Sequence, residues 1–318
     1  MLQLIIDWLV YSVFGLNPDS RLGEVINFFL YDSIKILLLL FFMITAIGFI
    51  RTYISQNKIK NWISNKKLLG NFFASLFGAI TPFCSCSSIP IFLSFLEVGI
   101  PLGATFSFLI TSPLINEYLV VIMLGFFGWK ITLLYVLSGI TIGVISGVIL
   151  GKMHLEKYLV KGVVSEDKQQ AKEKVYTGIK ERVIFGVDEA KSITKKLWLW
   201  VLLGVGIGSF IHNYIPQETI HGIISKTGPF SVPLATILGV PMYGSCAAIV
   251  PIAVVLFRKG VPLGTALAFM MATAALSFPE AVILRRAMKL QLITIFFGVT
   301  TVAIIITGYL FNMLQLMM

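Results

Sequence analysis

The stretch Thr81-Pro-Phe-Cys-Ser-Cys-Ser-Ser-Ile-Pro90 lies in the middle of an apolar run, from Leu68 to Leu96, that is long enough to cross a bilayer. Pro82 and Pro90 disturb a helix because proline lacks a backbone N–H and clashes with the preceding turn. Between the two prolines lie three serines and two of the three cysteines of the chain. A polar, interrupted segment at membrane depth is tolerated only where it faces protein or a water-filled cavity. The stretch therefore predicts a functional site.

The composition is that of a polytopic membrane protein. Of the 318 residues, 57% are hydrophobic and 13% are charged, whereas soluble domains carry about 25% charged residues. The net charge of +10 comes from Lys and Arg clustered between apolar runs, a pattern typical of membrane-orientation signals and not of a nucleic-acid-binding face. The predicted partners are the lipid bilayer and a small-molecule substrate. The sequence predicts no nucleic acid, no cofactor, no metal and no particular oligomeric state.

Apolar runs and loops divide the chain into four parts. Residues 1–32 are predicted to form an interfacial N-terminal helix and a periplasmic loop, and residues 33–151 a first transmembrane unit. Residues 152–196 are predicted to be a cytoplasmic linker whose second half is an amphipathic helix on the membrane surface. Residues 197–318 form the second transmembrane unit.

The two transmembrane units repeat each other. Ser85-Cys-Ser-Ser-Ile-Pro90 matches Ser245-Cys-Ala-Ala-Ile-Val-Pro251, and Asn116-Glu117 lies roughly where Pro279-Glu280 lies. Five basic residues precede the first interrupted segment, whereas Arg258 and Lys259 follow the second. Because cytoplasmic loops carry the excess of Lys and Arg, this reversal predicts inverted repeats, a cytoplasmic linker and a periplasmic C-terminus.

The predicted fold is all-α, with two inverted-topology repeats that each contain a Pro-interrupted transmembrane helix and a short hairpin. This design is typical of secondary transporters, whose substrates bind near the bilayer midplane. The predicted site therefore lies where Thr81–Pro90 and Pro241–Pro251 meet. Because residues two apart share a side in an extended stretch, Cys84 and Cys86 can converge with Cys246 on one soft atom, such as trivalent arsenic.

Further polar residues complete the predicted site. Those predicted to hydrogen-bond a substrate beside the cysteines are Ser85, Ser87, Ser88, Ser245 and Tyr243. Carboxylates inside a membrane are functional candidates, so Glu117 and Glu280, with Asn116 beside Glu117, are predicted to carry proton coupling. Taken singly, each serine and Cys246 also fits a role in close helix packing, and each glutamate fits an exposed helix end.

Four sequence blocks carry a family resemblance. They are Thr81–Pro90, Gly99-Ile-Pro-Leu-Gly-Ala104, Thr111-Ser-Pro-Leu-Ile-Asn-Glu117 and Pro241-Met-Tyr-Gly-Ser-Cys246. Together they resemble the predicted-permease family that contains the ArsP organoarsenical efflux permeases and the YraQ-type permeases, over about Ser33 to Phe311. The resemblance implies export of trivalent organoarsenicals, such as methylarsenite, through the inner membrane. The chain lacks the long cysteine-rich insertions of some relatives, which weakens an inorganic-arsenite interpretation.

Three other functions fit parts of the pattern. A permease for a small anion would use helix N-termini and serines, with the cysteines incidental. A membrane thiol redox enzyme would use Cys84 and Cys86 as a dithiol, but such enzymes usually have Cys-x-x-Cys and a second thiol pair or quinone site. A passive channel would be insensitive to a proton gradient. With no nucleotide-binding motif in the sequence, we expect a secondary transporter and not an enzyme.

Overall fold

The computed structural model describes residues 2–17, 20–52, 67–81, 85–160, 178–214, 228–242, 246–285 and 287–317. Within these residues the regular structure is helical, apart from one isolated antiparallel bridge between Leu159 and Met288, so the all-α prediction is confirmed. The α-helices are α1 Leu2–Asp7, α2 Arg21–Arg51, α3 Lys67–Ile80, α4 Ser85–Val98, α5 Leu102–Leu114, α6 Glu117–Lys152, α7 Ile179–Tyr214, α8 Ser231–Gly239, α9 Cys246–Arg258, α10 Leu263–Ala275, α11 Phe278–Leu284 and α12 Leu290–Met317.

The long helices α2 and α7 pack against each other in opposite directions along their length. Arg182, in the first turn of α7, donates hydrogen bonds to the carbonyl oxygen (2.7 Å) and Oγ1 (3.0 Å) of Thr52, just beyond the end of α2. Gly206, near the other end of α7, lies beside the ring of Phe29. The second half of the predicted linker is thus continuous with the following apolar helix, and α2 begins at Arg21, before the predicted span.

Equivalent turns join α4 to α5 and α9 to α10. Gly99 and Gly260 have φ angles of 80° and 92°, a region that favours glycine. The next amide in each case bonds a carbonyl five residues back, from Ile100 N to Phe95 O (3.0 Å) and from Val261 N to Leu256 O (3.1 Å). This is the Schellman arrangement that ends a helix, and a proline follows it. The two turns lie 161 positions apart, from Gly99 to Gly260.

The same shift of 161 positions relates the close helix contacts of the two halves. A Cβ on Gly78 of α3 would lie 3.0 Å from the carbonyl oxygen of Phe108 in α5. A Cβ on Gly239 of α8 would lie 2.9 Å from the carbonyl oxygen of Phe269 in α10. Gly103 and Gly147 approach each other as Gly264 and Gly308 do. The repeat in the sequence is therefore also a repeat of helix packing.

Helices α3 and α4 form a hairpin. The beginnings of α3 and α5 lie side by side, since Asn71 Nδ2 is 3.5 Å from the Cβ position of Gly103, and their ends meet at Gly78 and Phe108. Helix α4 starts soon after the end of α3 and finishes just before α5. It must therefore run back, antiparallel to both helices.

Helix α5 and the first part of α6 form an interrupted helix that continues in one direction. The interruption lies at Ile115 and Asn116, and the chain turns back at Gly128, which has φ 77° and ψ 172°. The returning part of α6 runs beside α5, with Gly139 against Ile115 and Gly151 against Gly103. The second half repeats this arrangement, because Ser231 Oγ lies 3.0 Å from Thr265 Oγ1 at the starts of α8 and α10, and Gly239 meets Phe269 near their ends. Each half therefore has one hairpin followed by one interrupted helix. In the first half the chain reverses direction between α3 and α4, and α4 then continues through Pro90. The Pro-interrupted stretch is therefore part of the hairpin and not a break in a helix that keeps its direction.

The two hairpins open at opposite ends of the helix bundle. The hairpin α3–α4 opens beside the end of α6, where Gly103 contacts Gly151. The linker that follows α6 is bonded to the start of α12, with Lys289 N donating to Tyr158 O (2.9 Å). The hairpin α8–α9 opens beside the far end of α12, where Leu263 N donates to Gln315 Oε1 (2.7 Å). Because α12 is 28 residues long, about 42 Å, these contacts indicate that the halves run antiparallel.

Three helical segments in the described part of the chain are long and apolar enough to cross a membrane. They are Leu119–Lys152, Leu263–Leu284 and Leu290–Gln315. Many of their large apolar side chains are exposed, among them Val121, Leu137 and Val302, as expected for surfaces in contact with lipid. The chain is thus a multi-pass membrane protein.

Candidate functional site

The first cysteine-rich stretch lies at the tip of the hairpin α3–α4. Ser85, Cys86 and Ser87 belong to the first turn of α4, so this turn presents its free backbone N–H groups at the tip. Cys84 lies outside the described residues. Pro90 has no N–H to donate to the carbonyl four residues before it, which is that of Cys86. The first turn of α4 therefore has free backbone donors, and the Cys86 carbonyl receives no bond from Pro90.

The first turn of α4 is anchored to α5 by a buried hydrogen bond. Ser88 Oγ and Ser112 Oγ are 2.8 Å apart, and both side chains are 0% exposed. Ser112 lies shortly before the interruption of α5–α6 at Asn116. The bond therefore brings the cysteine-bearing turn and the interruption of the neighbouring helix to the same level of the bundle.

The interruption between α5 and α6 has hydrogen-bond partners in both arms of α6. The hydroxyl of the fully buried Tyr135 donates to the carbonyl oxygen of Leu114 (3.0 Å), one of the last carbonyls of α5. The carbonyl oxygen of Asn116, a residue that is 6% exposed, accepts from Val120 N (2.9 Å). Glu117 is the first residue of α6. Asn116 and Glu117 thus occupy the start of the second arm of an interrupted helix.

The second half places its own interruptions in a similar way. Cys246 is the first residue of α9, while Tyr243 and Ser245 lie outside the described residues. Phe278 N, at the start of α11, donates to Val240 O (3.1 Å) just after the end of α8. The tip of the hairpin α8–α9 and the interruption between α10 and α11 therefore also meet.

Glu280 is a predicted site residue with a buried carboxyl group. It lies in the first turn of α11, where an acidic side chain is favoured by the helix dipole, and is only 2% exposed. Helix α11 packs against α7 and against the cysteine-bearing α4 of the other half. At the shift of 161 positions, Glu280 corresponds to Leu119 and Glu117 to Phe278. The two carboxylates therefore share a helix end but not an equivalent position.

The site-bearing helices are paired across the two halves. Helix α4 packs against α11, and the equivalent helix α9 packs against α6. Along the second pair, Phe127 and Phe257 have ring centroids 5.7 Å apart, and the Arg258 guanidinium lies 6.0 Å from the centroid of Phe126. These contacts lie at the end of α9 and just before the turn at Gly128 in α6. The end of α9 therefore lies beside the end of the first arm of α6.

The predicted residues thus fall into two groups. Those at described helix ends are Ser85, Cys86, Ser87, Ser88, Asn116, Glu117, Cys246 and Glu280; Cys84, Tyr243 and Ser245 lie outside the described residues. Sequence reasoning missed Ser112, Tyr135 and the buried Ser277, whose carbonyl oxygen accepts from Ala281 N (3.2 Å) at the start of α11. The shift of 161 positions was the available signal for Ser277, since it places this residue opposite Asn116. No cluster of three or more His, Cys, Asp or Glu suited to a metal occurs among the described residues.

Comparison with known proteins gives a family. A family model described as "Predicted permease" matches residues 21–313, from the first residue of α2 to near the end of α12. The chain belongs to the ArsP_1 family of predicted permeases. This match spans both halves of the fold and confirms the resemblance found in the sequence motifs. As a member of this family, the protein is a membrane permease.

Three relatives of this ArsP_1 member illustrate the breadth of the similarity. A "Putative two-component membrane permease complex subunit" of Streptococcus mutans is 26% identical over 67% of this chain and 70% of its own length. The "UPF0718 protein YcgR" of Bacillus subtilis is 25% identical over 61% of this chain and 66% of its own. The "UPF0718 protein MJ0584" of Methanocaldococcus jannaschii is 21% identical over 92% of this chain and 95% of its own. No solved structure matches.

Proposed function

We propose that this permease is a secondary transporter of the inner membrane that exports a small thiophilic substrate, a trivalent organoarsenical such as methylarsenite. The observation that carries the proposal is the pairing of the site-bearing helices. Each helix that has a cysteine among its first two residues packs against a helix of the other half that has a glutamate in its first turn. A soft atom bound by thiolates of both halves would connect them, as alternating access about a central site requires.

The polar residues have supporting roles in this proposal. Helix N-termini stabilise negative groups, so the first turns of α4 and α9 favour thiolate ligands at Cys84, Cys86 and Cys246. The serines of both stretches, with Tyr243, would line the path for the polar part of the substrate. Glu280 and Glu117, the latter beside Asn116, would exchange protons as the substrate binds and leaves. Substrate export and proton entry would then use the same set of helix ends.

The thiol mechanism is tested by resistance in an arsenic-sensitive host. Because even outer partners of a bound metal change its affinity about 10- to 100-fold, Cys86→Ser and Cys84→Ser are expected to reduce methylarsenite resistance at least about tenfold. Ser94→Ala, on the same helix but beyond its first turns, is the control and should keep full resistance. Membrane abundance is measured by immunoblot in every strain.

Unchanged resistance in the Cys84→Ser/Cys86→Ser double variant, at equal abundance, would contradict the thiol mechanism. The alternative is a small-anion permease that uses the same helix N-termini. Uptake of candidate oxyanions by vesicles containing a variant with all three cysteines replaced separates the two, because only the anion permease would remain active.

A further inference from the structure

The second arm of α6 carries glycines at every fourth position, Gly139, Gly143, Gly147 and Gly151. These positions share one face of the helix. The face packs against α5 and α3 so closely that a Cβ on any of the four glycines would meet a neighbouring helix. Such a stripe usually serves packing alone, but here it is accompanied by hydroxyl groups that have no packing explanation.

Three fully buried hydroxyls at this interface have no hydrogen-bond partner among the described residues. They belong to Ser75 of α3, Thr111 of α5 and Ser146 of α6, all 0% exposed. Threonines in these helices ordinarily donate to the carbonyl four residues earlier, as Thr273 does to Phe269 O (2.9 Å). Thr111 Oγ1 makes no such bond. A buried hydroxyl left without a partner costs about 1–3 kcal/mol, so three at one interface indicate a missing ligand.

The oxygens converge at Gly143. Thr111 Oγ1 occupies the position that a Cβ on Gly143 would take. Ser75 Oγ and the carbonyl oxygen of Ser107 lie 3.0 Å and 3.1 Å from that same position. Ser146 stands three residues further along α6, on the same face. Two neighbouring helices, α3 and α5, thus bring hydroxyl or carbonyl oxygens to one point on α6, which is open to them only because residue 143 lacks a side chain.

The equivalent interface of the second half contains no such group. At the shift of 161 positions, Ala272 replaces Thr111 and the fully buried Ile304 replaces Gly143. Thr236 replaces Ser75 and donates to Val232 O (2.8 Å), and Thr307 replaces Ser146 and donates to Ala303 O (2.9 Å). Close packing of the repeated fold therefore does not require free hydroxyls, and their presence is a feature of the first half alone.

We propose that Ser75, Thr111 and the Ser107 carbonyl, with Ser146, bind a sodium ion. Hard cations take oxygen ligands. Divalent sites are built largely with carboxylates, whereas the oxygens that converge here are neutral, which favours a monovalent ion. The ion would bridge α3, which leads to the cysteine-bearing tip, with α5, which leads to the interruption at Asn116. Its binding would therefore stabilise the arrangement of the hairpin α3–α4 on the rest of the first half.

The test uses the purified full-length protein without any transport substrate, so its result is independent of the proposed arsenical. The melting temperature is measured in NaCl, KCl and choline chloride at equal ionic strength, because a ligand that binds the folded state raises it in a saturable way. A saturable increase specific to Na⁺ is expected. Thr111→Ala, which installs the residue of the second half, should raise the Na⁺ concentration for half of the increase at least about tenfold.

Two further variants separate a bound ion from a packing effect. Thr111→Ser keeps the hydroxyl and should keep the Na⁺ response, while Thr236→Val, the matched control in the second half, should not change it. Equal melting temperatures in the three salts, as expected for an ordered water at this site, would overturn the proposal. So would an unaltered Na⁺ response in the Ser75→Ala/Thr111→Ala double variant, or a response to K⁺ as large as that to Na⁺.

Discussion

Single side chains make the interruption of the first half different from that of the second. Tyr135 donates its hydroxyl to Leu114 O at the end of α5, while its counterpart Phe296 instead stacks on Phe106, with centroids 5.5 Å apart. Ser88 and Ser112 join α4 to α5, while their counterparts are Ile249 and Thr273, and Thr273 bonds within its own helix. The half with two cysteines at its hairpin tip is thus the half in which the side chains of Ser88, Ser112 and Tyr135 make hydrogen bonds near the interruption.

The bond between Ser88 and Ser112 gives a prediction at this scale. Because a net hydrogen bond contributes about 1 kcal/mol, Ser112→Ala is expected to lower the free energy of unfolding by about that amount. A double-mutant cycle with Ser88→Ala, measured by thermal unfolding in detergent, should give a coupling energy of similar size. Thr273→Ala, at the matched position, should show no coupling to a substitution of Ile249. Additive effects of Ser88→Ala and Ser112→Ala would show that the bond contributes nothing.

Among the helices, glycines decide which backbones can meet. Sequence patterns predicted the approximate positions of the apolar helices, because apolar runs and prolines are local signals. They did not predict which interrupted segment folds back. Both α4 and α5 contain a proline within the helix, and the hydropathy of a segment does not show whether the chain reverses direction there. Direction is set by non-local contacts, such as Gly78 with Phe108 and Gly103 with Gly147. These became visible only when the helices were packed.

The contact at Gly103 predicts a measurable asymmetry between glycines. A Cβ on Gly103 would lie 2.7 Å from the carbonyl oxygen of Gly147 and 3.1 Å from Cα of Gly151, so α5 and α6 would have to separate. Overpacking of this kind costs about 1–3 kcal/mol. Gly103→Ala is therefore expected to lower the melting temperature and the yield of folded protein.

Gly125→Ala is the matched control for this substitution. Gly125 is in the first arm of α6, and a Cβ there would have no neighbour within 4 Å. Because alanine favours a helix over glycine by up to about 1 kcal/mol, this variant should be neutral or more stable. A loss of stability equal to that of Gly103→Ala would contradict the proposed role of the close contact.

At the scale of the whole molecule, the sequence indicated that the chain consists of two related halves, and the structure supplies their arrangement. The motifs Cys-Ser-Cys and Gly-Ser-Cys were recognised as equivalent from the sequence, and they do lie at equivalent hairpin tips as far as the described residues extend. The pairing of α4 with α11 and of α9 with α6 was not predictable, because it joins segments from different halves. The charge argument places most Lys and Arg, including the linker, on the cytoplasmic side. Its assignment of single short loops rests on one or two charges each, which give little orientation information.

The ends of the two hairpins provide the last prediction. The contacts of Gly103 with Gly151 and of Leu263 with Gln315 put Pro101 at the linker end of the bundle and Lys259 at the opposite end. With a cytoplasmic linker, Lys259→Cys in a cysteine-free protein should react with a membrane-impermeant maleimide in intact cells. Pro101→Cys should react only after the cells are broken, as should Glu156→Cys, an exposed linker position that serves as the control. The loop charges alone predict the reverse for positions 101 and 259, since they assign Glu97 to the periplasm and Arg258 to the cytoplasm. Labelling of Pro101→Cys but not of Lys259→Cys from outside would therefore overturn the antiparallel hairpins, whereas the expected pattern would establish them in the membrane itself.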